Sequence, residues 1–157
     1  MPDTHEYLVN TKFPEFSLYD DEEKLVSRAD IEGKWTVIFF YPKDDSPGCT
    51  LQSCSFRDQY EQFTKKGVLL YGVSSDSTSS HRNFKKRYNL QYSLLSDRNN
   101  KLAKSLKLKR NFGFLNARVT FVINPEGYIT YSYTSQLGVT VHVKKALKAI
   151  KIVENTI

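Results

Sequence analysis

Short runs of apolar residues, bounded by turn-forming residues, mark the strands of this chain. Residues 35–41 are almost continuously apolar, which is typical of a strand buried on both faces in the middle of a sheet. Residues 68–74 form a second run of this kind. Shorter patterns predict a weak hairpin at 16–18 and 24–26, a strand or turn at 94–97, and an antiparallel hairpin at 119–123 and 128–133.

Between these strands, apolar residues recur at helical intervals. A helix is predicted from Cys49 to about Lys65, with Gly67 as its stop, and its inner side would carry Leu51, Cys54, Phe56, Tyr60 and Phe63. Further helices are predicted to begin among the serines of 77–80, to cover 102–106, and to run from 141 to 153. The elements predict an α/β fold, with a central mixed β-sheet flanked by helices and an N-terminal β-hairpin extension. Their order resembles the thioredoxin-like arrangement with extra elements.

Length and composition indicate one domain that covers residues 1–157. A chain of 157 residues with 39% hydrophobic residues can bury one ordinary core. No apolar stretch approaches the ~20 residues that a membrane span needs. The first six residues lack the basic and apolar parts of a secretory signal. We therefore expect a cytoplasmic protein with no membrane partner, in a compartment that keeps thiols reduced.

The formal net charge of +6 is a property shared with many nucleic-acid-binding proteins. However, the basic residues form short groups that alternate with apolar positions, as they do on solvated helix faces. These groups are 65–66, 85–87, 107–110 and 144–145. We expect no nucleic-acid partner, and a nucleic-acid-binding protein with incidental thiols stays open as the alternative.

The chain has two cysteines, Cys49 and Cys54, placed where a buried strand gives way to a helix. A turn over 42–48 would leave Cys49 at the helix N-terminus, among N–H groups without partners in the helix. Such a position lowers the pKa of a thiol, and only the thiolate is a good nucleophile. A zinc site usually needs four ligands, and the three histidines have no ligand-like spacing, so we expect no metal. This pattern favours redox chemistry over a buried structural pair.

The sequence around Cys49 resembles a known active-site segment. Residues 40–50, together with Cys54 and 56–58, closely resemble that segment in peroxiredoxins of the Q type, also called bacterioferritin comigratory proteins. The likeness continues in the expected order and covers roughly residues 12–153. The matching residues are 72–74, 76–77, 80–81, Phe84, 94–97, Arg118, 120–123 and Gly127. It implies a thioredoxin-dependent thiol peroxidase that acts on hydrogen peroxide and organic hydroperoxides in antioxidant defence. It also implies that no cofactor is used and that the chain is a monomer or a weak dimer.

The resemblance assigns a role to five residues. Cys49 would be the peroxidatic cysteine, whose thiolate attacks the peroxide and becomes a sulfenic acid, and Cys54 would be the resolving cysteine. Arg118 would hold the thiolate and the peroxide. Ser46 stands where the family usually has threonine; its hydroxyl would donate to the peroxide and accept from the backbone. Pro42 would fix the turn and help to keep water from the sulfur.

The spacing of the two cysteines means that the helix must change shape before a disulfide can form between them. On a regular helix, the Cα atoms of residues i and i+5 lie roughly 8–9 Å apart. A disulfide needs about 4.4–6.8 Å, so the helix has to unwind each time Cys49 and Cys54 condense. We expect the polar residues Gln52, Ser53 and Ser55 to make this opening easy. The resulting disulfide would be strained and easily reduced by a dithiol such as thioredoxin.

Other polar residues near the cysteines have simpler interpretations. Lys43, Asp44 and Asp45 are expected to be solvated turn residues, and Tyr41 to lie in the core. His81 is expected to form local hydrogen bonds at a helix start, and Arg57 to pair with Asp58. Two further functions stay open: a disulfide oxidoreductase, although these use a C-x-x-C motif, and a redox sensor that passes oxidation to a partner.

Overall fold

A seven-stranded mixed sheet forms the centre of the structure, a computed structural model that describes residues 5–108, 110–111 and 115–154. The strands are β1 (Ser17–Asp20), β2 (Leu25–Ser27), β3 (Thr36–Phe40), β4 (Leu69–Ser74), β5 (Ser93–Ser96), β6 (Arg110–Asn111), β7 (Leu115–Asn116), β8 (Val119–Ile123) and β9 (Ile129–Thr134). Their order in the sheet is β2-β1-β5-β4-β3-β8-β9, while β6 and β7 form a separate pair. Strands β3, β4 and β5 are parallel, and the remaining pairs are antiparallel.

Six α-helices accompany the strands in the described part of the chain. They are α1 (Arg28–Ile31), α2 (Pro47–Asp58), α3 (Tyr60–Thr64), α4 (Thr78–Tyr88), α5 (Lys101–Ser105) and α6 (Val141–Glu154). Short 3₁₀ turns occur at Glu6–Leu8 and Arg98–Asn100. None of the helices so described combines the length and the apolar character that crossing a bilayer requires.

The sheet is buried on both faces at its centre, as the apolar run 35–41 predicted. Successive side chains of a strand point to opposite faces. Ile38 and Phe40 of β3 therefore join one hydrophobic cluster, whereas Val37, Phe39 and Tyr41 join the other. The second cluster also contains Phe56 of α2, Phe84 of α4, and Val143, Ala146 and Ile150 of α6. These contacts confirm the prediction of helices that flank a central mixed sheet.

Local turn signals also predicted the ends of several elements correctly. The N-terminal hairpin pairs Ser17 with Ser27, and the Asp20 carboxylate accepts backbone N–H bonds within its turn. Ser77 caps α4 by accepting the N–H of Ser80. Gly67, with φ of +68°, follows the helical segment in the left-handed region that glycine tolerates.

The prediction of one helix from Cys49 to Lys65 is wrong in two respects. Gln59 has φ of −107° and ψ of 9°, which separates α2 from α3. The inner face of α2 passes through Cys49, Gln52, Ser53 and Phe56, whereas Leu51 is 57% exposed. Burial of the Cys49 sulfur sets this orientation, because positions three, four and seven residues further on share its face.

Candidate active site

Cys49 lies in the first turn of α2, immediately beyond the carboxyl end of β3, and its thiol is free and fully buried. Two donors point at its sulfur. The backbone N–H of Lys43 lies 3.5 Å from Sγ, and Nη1 of Arg118 lies 3.4 Å from the same atom. A neutral peptide dipole and a guanidinium therefore converge on one sulfur that water does not reach.

Arg118 reaches Cys49 because strand β8 runs antiparallel to β3. Val119 pairs with Phe40, so the preceding residue, Arg118, lies beside the end of β3 where the cysteine loop begins. Arg118 is 6% exposed, and its Nη1 also donates a 2.6 Å hydrogen bond to Oε1 of Gln52. A Cβ on Gly48 would lie 3.2 Å from Nη2 of Arg118, so glycine leaves room for this close approach.

Gln52 was not predicted as a site residue and was expected only to ease the opening of the helix. Its side chain is fully buried one helical turn after Cys49, on the same face. Nε2 of Gln52 and Nε of Arg118 are buried donors without a hydrogen-bond partner. Buried donors of this kind are costly unless an acceptor arrives, which suits a site that receives an oxygen-rich ligand. The i, i+3 spacing from Cys49 is the signal that could have identified Gln52.

Ser46 and Pro42 frame the loop before Cys49. Ser46 occupies the N-cap position of α2, but its hydroxyl donates to the carbonyl oxygen of Lys43 at 3.0 Å and does not cap the helix. The hydroxyl proton thus goes to the Lys43 carbonyl, and the hydroxyl oxygen accepts no N–H of the helix start; its donation to a peroxide stays a prediction. Pro42 is half-buried directly after the fully buried Tyr41.

Cys54 lies on the same helix as Cys49 and is also a free thiol. It is half-buried, and burial is the largest cause that raises its pKa; Asp58 acts in the same direction and Arg57 opposes it. Cys54 is therefore held as a protonated thiol in the closed helix. Because both cysteines belong to one intact helix, a bond between them requires α2 to open.

Several contacts hold the middle of α2 closed. Phe56 stacks on Phe39 with ring centroids 4.2 Å apart, and the Tyr92 hydroxyl donates to the carbonyl oxygen of Ser53 at 2.7 Å. Gln52 and Ser53 are buried in the closed helix and not solvated. Oγ of Ser53 and Nε2 of Gln52 lack partners in this state and would gain water on opening, which lowers the cost of opening.

The expectation of a solvated turn at 43–45 is wrong for Asp44, which is 5% exposed. Its carboxylate accepts from the hydroxyl of Tyr41 at 2.6 Å and from that of Ser80 at 2.8 Å, and faces Nδ1 of His81 at 2.7 Å. Burial, with the Asp44 charge next, raises the pKa of Tyr41 and keeps this phenol a donor. Partners from α4, distant in the sequence, make the burial of this acid possible.

Asp44, Asp76 and His81 each place one possible metal-ligand atom within 4.8 Å of the others. These atoms already have hydrogen-bond partners: Asp44 bonds to His81, and the Asp76 carboxylate accepts the Ser74 hydroxyl and the backbone N–H of Asp44. The three residues therefore belong to one hydrogen-bonded network around the cysteine loop.

The expected Arg57–Asp58 ion pair is present, with Nε 3.0 Å from Oδ1. Arg57 also donates to the carbonyl oxygen of Tyr88 at 2.8 Å, which ties α2 to the end of α4. This second bond gives Arg57 a structural role on the outer side of the helix.

His142 is connected to the backbone of Arg118 through Ser135, and the sequence did not identify it as a site residue. Its Nε2 donates to the carbonyl oxygen of Ser135 at 2.9 Å, and the Ser135 N–H donates to the carbonyl of Arg118 at 3.2 Å. The Thr120 hydroxyl lies 2.8 Å from Nδ1. Burial, aided by the Arg118 charge, lowers the pKa of His142 to about 4, so the ring is neutral beside the guanidinium.

Known proteins of similar sequence indicate the family of this chain. Residues 9–132 match the AhpC/TSA family. The chloroplastic peroxiredoxin Q of Oryza sativa subsp. japonica is 40% identical over 88% of this chain and 64% of its own length. The chloroplastic peroxiredoxin Q of Sedum lineare is 41% identical over 88% of this chain and 75% of its own length. The chain thus spans slightly less than two thirds of the rice relative that it matches.

Solved structures with the same fold include two from bacteria. Peroxidoxin BcpB from Mycobacterium tuberculosis has a TM-score of 0.85 and 28% identity, covering 92% of this chain and 97% of that one. Peroxiredoxin Q from Xanthomonas campestris has a TM-score of 0.81 and 31% identity, covering 87% of this chain and 90% of that one. The thioredoxin-like arrangement expected from the order of elements is confirmed by this match.

Proposed function

This chain belongs to the AhpC/TSA family, with Q-type peroxiredoxins among its relatives, and from that premise we propose that it is a thiol-dependent peroxidase. Its substrates would be hydrogen peroxide and organic hydroperoxides, and its role would be antioxidant defence. One observation carries the proposal. The buried Cys49 sulfur receives a backbone N–H and the Arg118 guanidinium, with unpartnered donors beside it.

The proposed first step is a displacement at oxygen. The Cys49 thiolate attacks the terminal oxygen of the hydroperoxide, forming an S–O bond as the O–O bond breaks. The leaving hydroxide or alkoxide takes a proton and departs as water or alcohol, and Cys49 becomes a sulfenic acid. Negative charge moves from sulfur to oxygen during this step, and Arg118 lies within reach of both positions.

The proposed second step uses Cys54. Its thiol attacks the Cys49 sulfenic sulfur, an S–S bond forms, and the sulfenic oxygen leaves as water. The intramolecular disulfide is then reduced to two thiols by a dithiol partner of the thioredoxin type. Opening of α2 is needed between the two steps, because the closed helix keeps the cysteines on separate turns.

Peroxide consumption with dithiothreitol as the reductant tests the function. We expect turnover by the unmodified chain, loss of turnover in Cys49→Ser, and little reduction of insulin disulfides. Mass spectrometry after one equivalent of peroxide should find a crosslink between residues 49 and 54. Undiminished peroxide turnover in Cys49→Ser would overturn the assignment, and efficient insulin reduction would favour a disulfide oxidoreductase.

The remaining parts of the proposal concern the setting of this activity. We propose one domain over residues 1–157 that works as a monomer or weak dimer, without a cofactor and without a nucleic-acid partner. The cycle needs a reducing compartment, for which we propose the cytoplasm; the plant relatives are named chloroplastic. Size-exclusion chromatography tests the oligomeric state, and subcellular fractionation tests the compartment.

A further inference from the structure

A buried acid–base pair outside the proposed chemistry joins the cysteine loop to α4. The carboxylate of Asp44, in the loop between β3 and α2, faces the ring of His81, which is fully buried. Oδ2 of Asp44 lies 2.7 Å from Nδ1 of His81, and Nε2 of His81 lies 3.0 Å from the carbonyl oxygen of Leu95. The pair therefore spans from the loop, through α4, to the end of β5.

The hydrogen bonds define where the protons lie. A carbonyl oxygen only accepts, so Nε2 of His81 carries a hydrogen that it donates to Leu95. The Asp44 carboxyl group accepts hydroxyl protons from Tyr41 and Ser80. Its Oδ2 also lies 2.7 Å from Nδ1 of His81, so one hydrogen lies in the bond between these two atoms. Asp44 and His81 therefore form one hydrogen-bonded unit between the loop and β5.

The hydrogen-bonded pair of Asp44 and His81 lies one residue away from a group that contacts the reacting sulfur. Lys43 provides the N–H directed at Cys49, and its carbonyl accepts the Ser46 hydroxyl. The next residue, Asp44, is held at its side chain by His81 and at its backbone N–H by the Asp76 carboxylate at 2.8 Å. Movement of Asp44 would therefore move the Lys43 peptide, whose N–H has to point at the sulfur.

From this arrangement, we infer that Asp44 and His81 are positioning residues for the active site. Their hydrogen bond holds the Lys43 N–H against the Cys49 sulfur while α2, on the other side of Cys49, opens and closes. The inference rests on the proposed peroxidase function and adds to it a buried hydrogen-bonded anchor for the loop. Removing either partner leaves the other polar group buried without this hydrogen bond, so the loop should shift.

Rapid-mixing measurement of single-turnover Cys49 oxidation tests this role in Asp44→Asn, His81→Gln and the double variant. Misplacement of a donor at a reacting atom slows reactions strongly, so we expect each single variant to react roughly 10- to 100-fold more slowly. The double variant should be no slower than the slower single variant, because both changes break one unit. The inference would be overturned if folded His81→Gln reacted at the same rate as the unmodified chain. It would also be overturned if the losses of the two single variants added up in the double variant.

Asp21→Asn is the matched control. Asp21, like Asp44, is a buried acid bonded to a basic residue of α4, since its Oδ2 lies 3.1 Å from Nζ of Lys85. It also accepts the N–H of Leu94, so it bonds to the sheet and not to the cysteine loop. We expect Asp21→Asn to lose stability on thermal unfolding while Cys49 keeps its rate. Equal slowing in this control would show that the effect is a general loss of stability, and the inference would fail.

Two measurements keep the inference separate from the proposed function and from failure of a variant to fold. Nitrogen-15 NMR of the unmodified chain should find a hydrogen on Nε2 of His81, the nitrogen that donates to the Leu95 carbonyl; an Nε2 without a hydrogen would overturn this hydrogen-bond assignment. Alkylation of Cys49 by iodoacetamide should also slow in the two variants, whether or not the chain reduces peroxide. An unchanged alkylation rate would argue against positioning of the sulfur environment, whereas absent peroxide turnover in the unmodified chain would overturn only the proposed function.

Discussion

The hydroxyl of Tyr92 donates a 2.7 Å hydrogen bond to the carbonyl oxygen of Ser53, the residue before Cys54. Both residues are buried, and the Tyr92 ring packs edge-on against Phe39 with centroids 5.7 Å apart. Burial raises the pKa of Tyr92, so the phenol remains a donor. This bond stabilises the closed form of the part of α2 that has to open before Cys54 can reach Cys49.

Tyr92→Phe should therefore speed the second chemical step. The substitution removes the bond but keeps the ring, and a neutral hydrogen bond contributes about 0.5–1.5 kcal/mol, or roughly 2- to 10-fold in the opening equilibrium. We expect faster disulfide formation and less sulfinic acid at high peroxide, both measured by mass spectrometry of quenched samples. Tyr60→Phe is the control, because Tyr60 contacts the Tyr92 ring without supplying this bond. Unchanged disulfide kinetics in Tyr92→Phe would show that this hydrogen bond does not restrain the opening of α2.

Arg118→Lys should slow the first step while leaving the charge in place. Nη1 of Arg118 donates to both Cys49 and Gln52 from a rigid planar group, and the ammonium of lysine does not reproduce this geometry. Loss of one directed donor to a developing oxyanion costs about 100-fold or more, and we expect a loss of this order in single-turnover peroxide reduction. Arg57→Lys, on the outer side of α2, should react at nearly the unmodified rate. Similar rates of single-turnover peroxide reduction for the two variants would show that Arg118 does not act in the first step.

Cys54→Ser should separate attack from turnover. Serine cannot close the disulfide, so Cys49 sulfenic acid should accumulate and steady turnover with thioredoxin should fall, while single-turnover oxidation stays fast. Dimedone labelling followed by mass spectrometry measures the accumulated sulfenic acid. If both rates fall equally, Cys54 is needed for folding or for the attack itself.

Stability should depend on pH through His142. The pKa of this buried ring is about 4, below the usual value of 6.5, so the unfolded chain takes up its proton first as pH falls. The stability contribution is complete above pH 6.5 and is lost progressively between pH 6.5 and about 4, by up to about 3 kcal/mol. Urea unfolding across this range measures the loss, and His142→Gln should remove that part of the pH dependence. An equal slope in His142→Gln would assign it to other groups.

The local pattern predicted most of the elements. Runs of apolar residues identified β3 and β4, and turn residues identified both hairpins and the start of α4. These signals are short in sequence, because strand burial, caps and tight turns depend on neighbouring residues. The placement of Arg118 beside Cys49 came from family resemblance, since no local pattern joins residues 69 positions apart.

The sequence by itself determined the alternation of strands and helices, and it put a cysteine at the junction of a buried strand and a helix. Only the tertiary structure decided which polar residues are buried: Asp44 with His81, Gln52 with Arg118, and His142 behind them. The physical reason is that a polar side chain is buried only where partners satisfy it, and these partners lie on other elements of the fold. The rotation of α2 follows the same rule, since Cys49 turns inward to its donors and Leu51 is left in solvent.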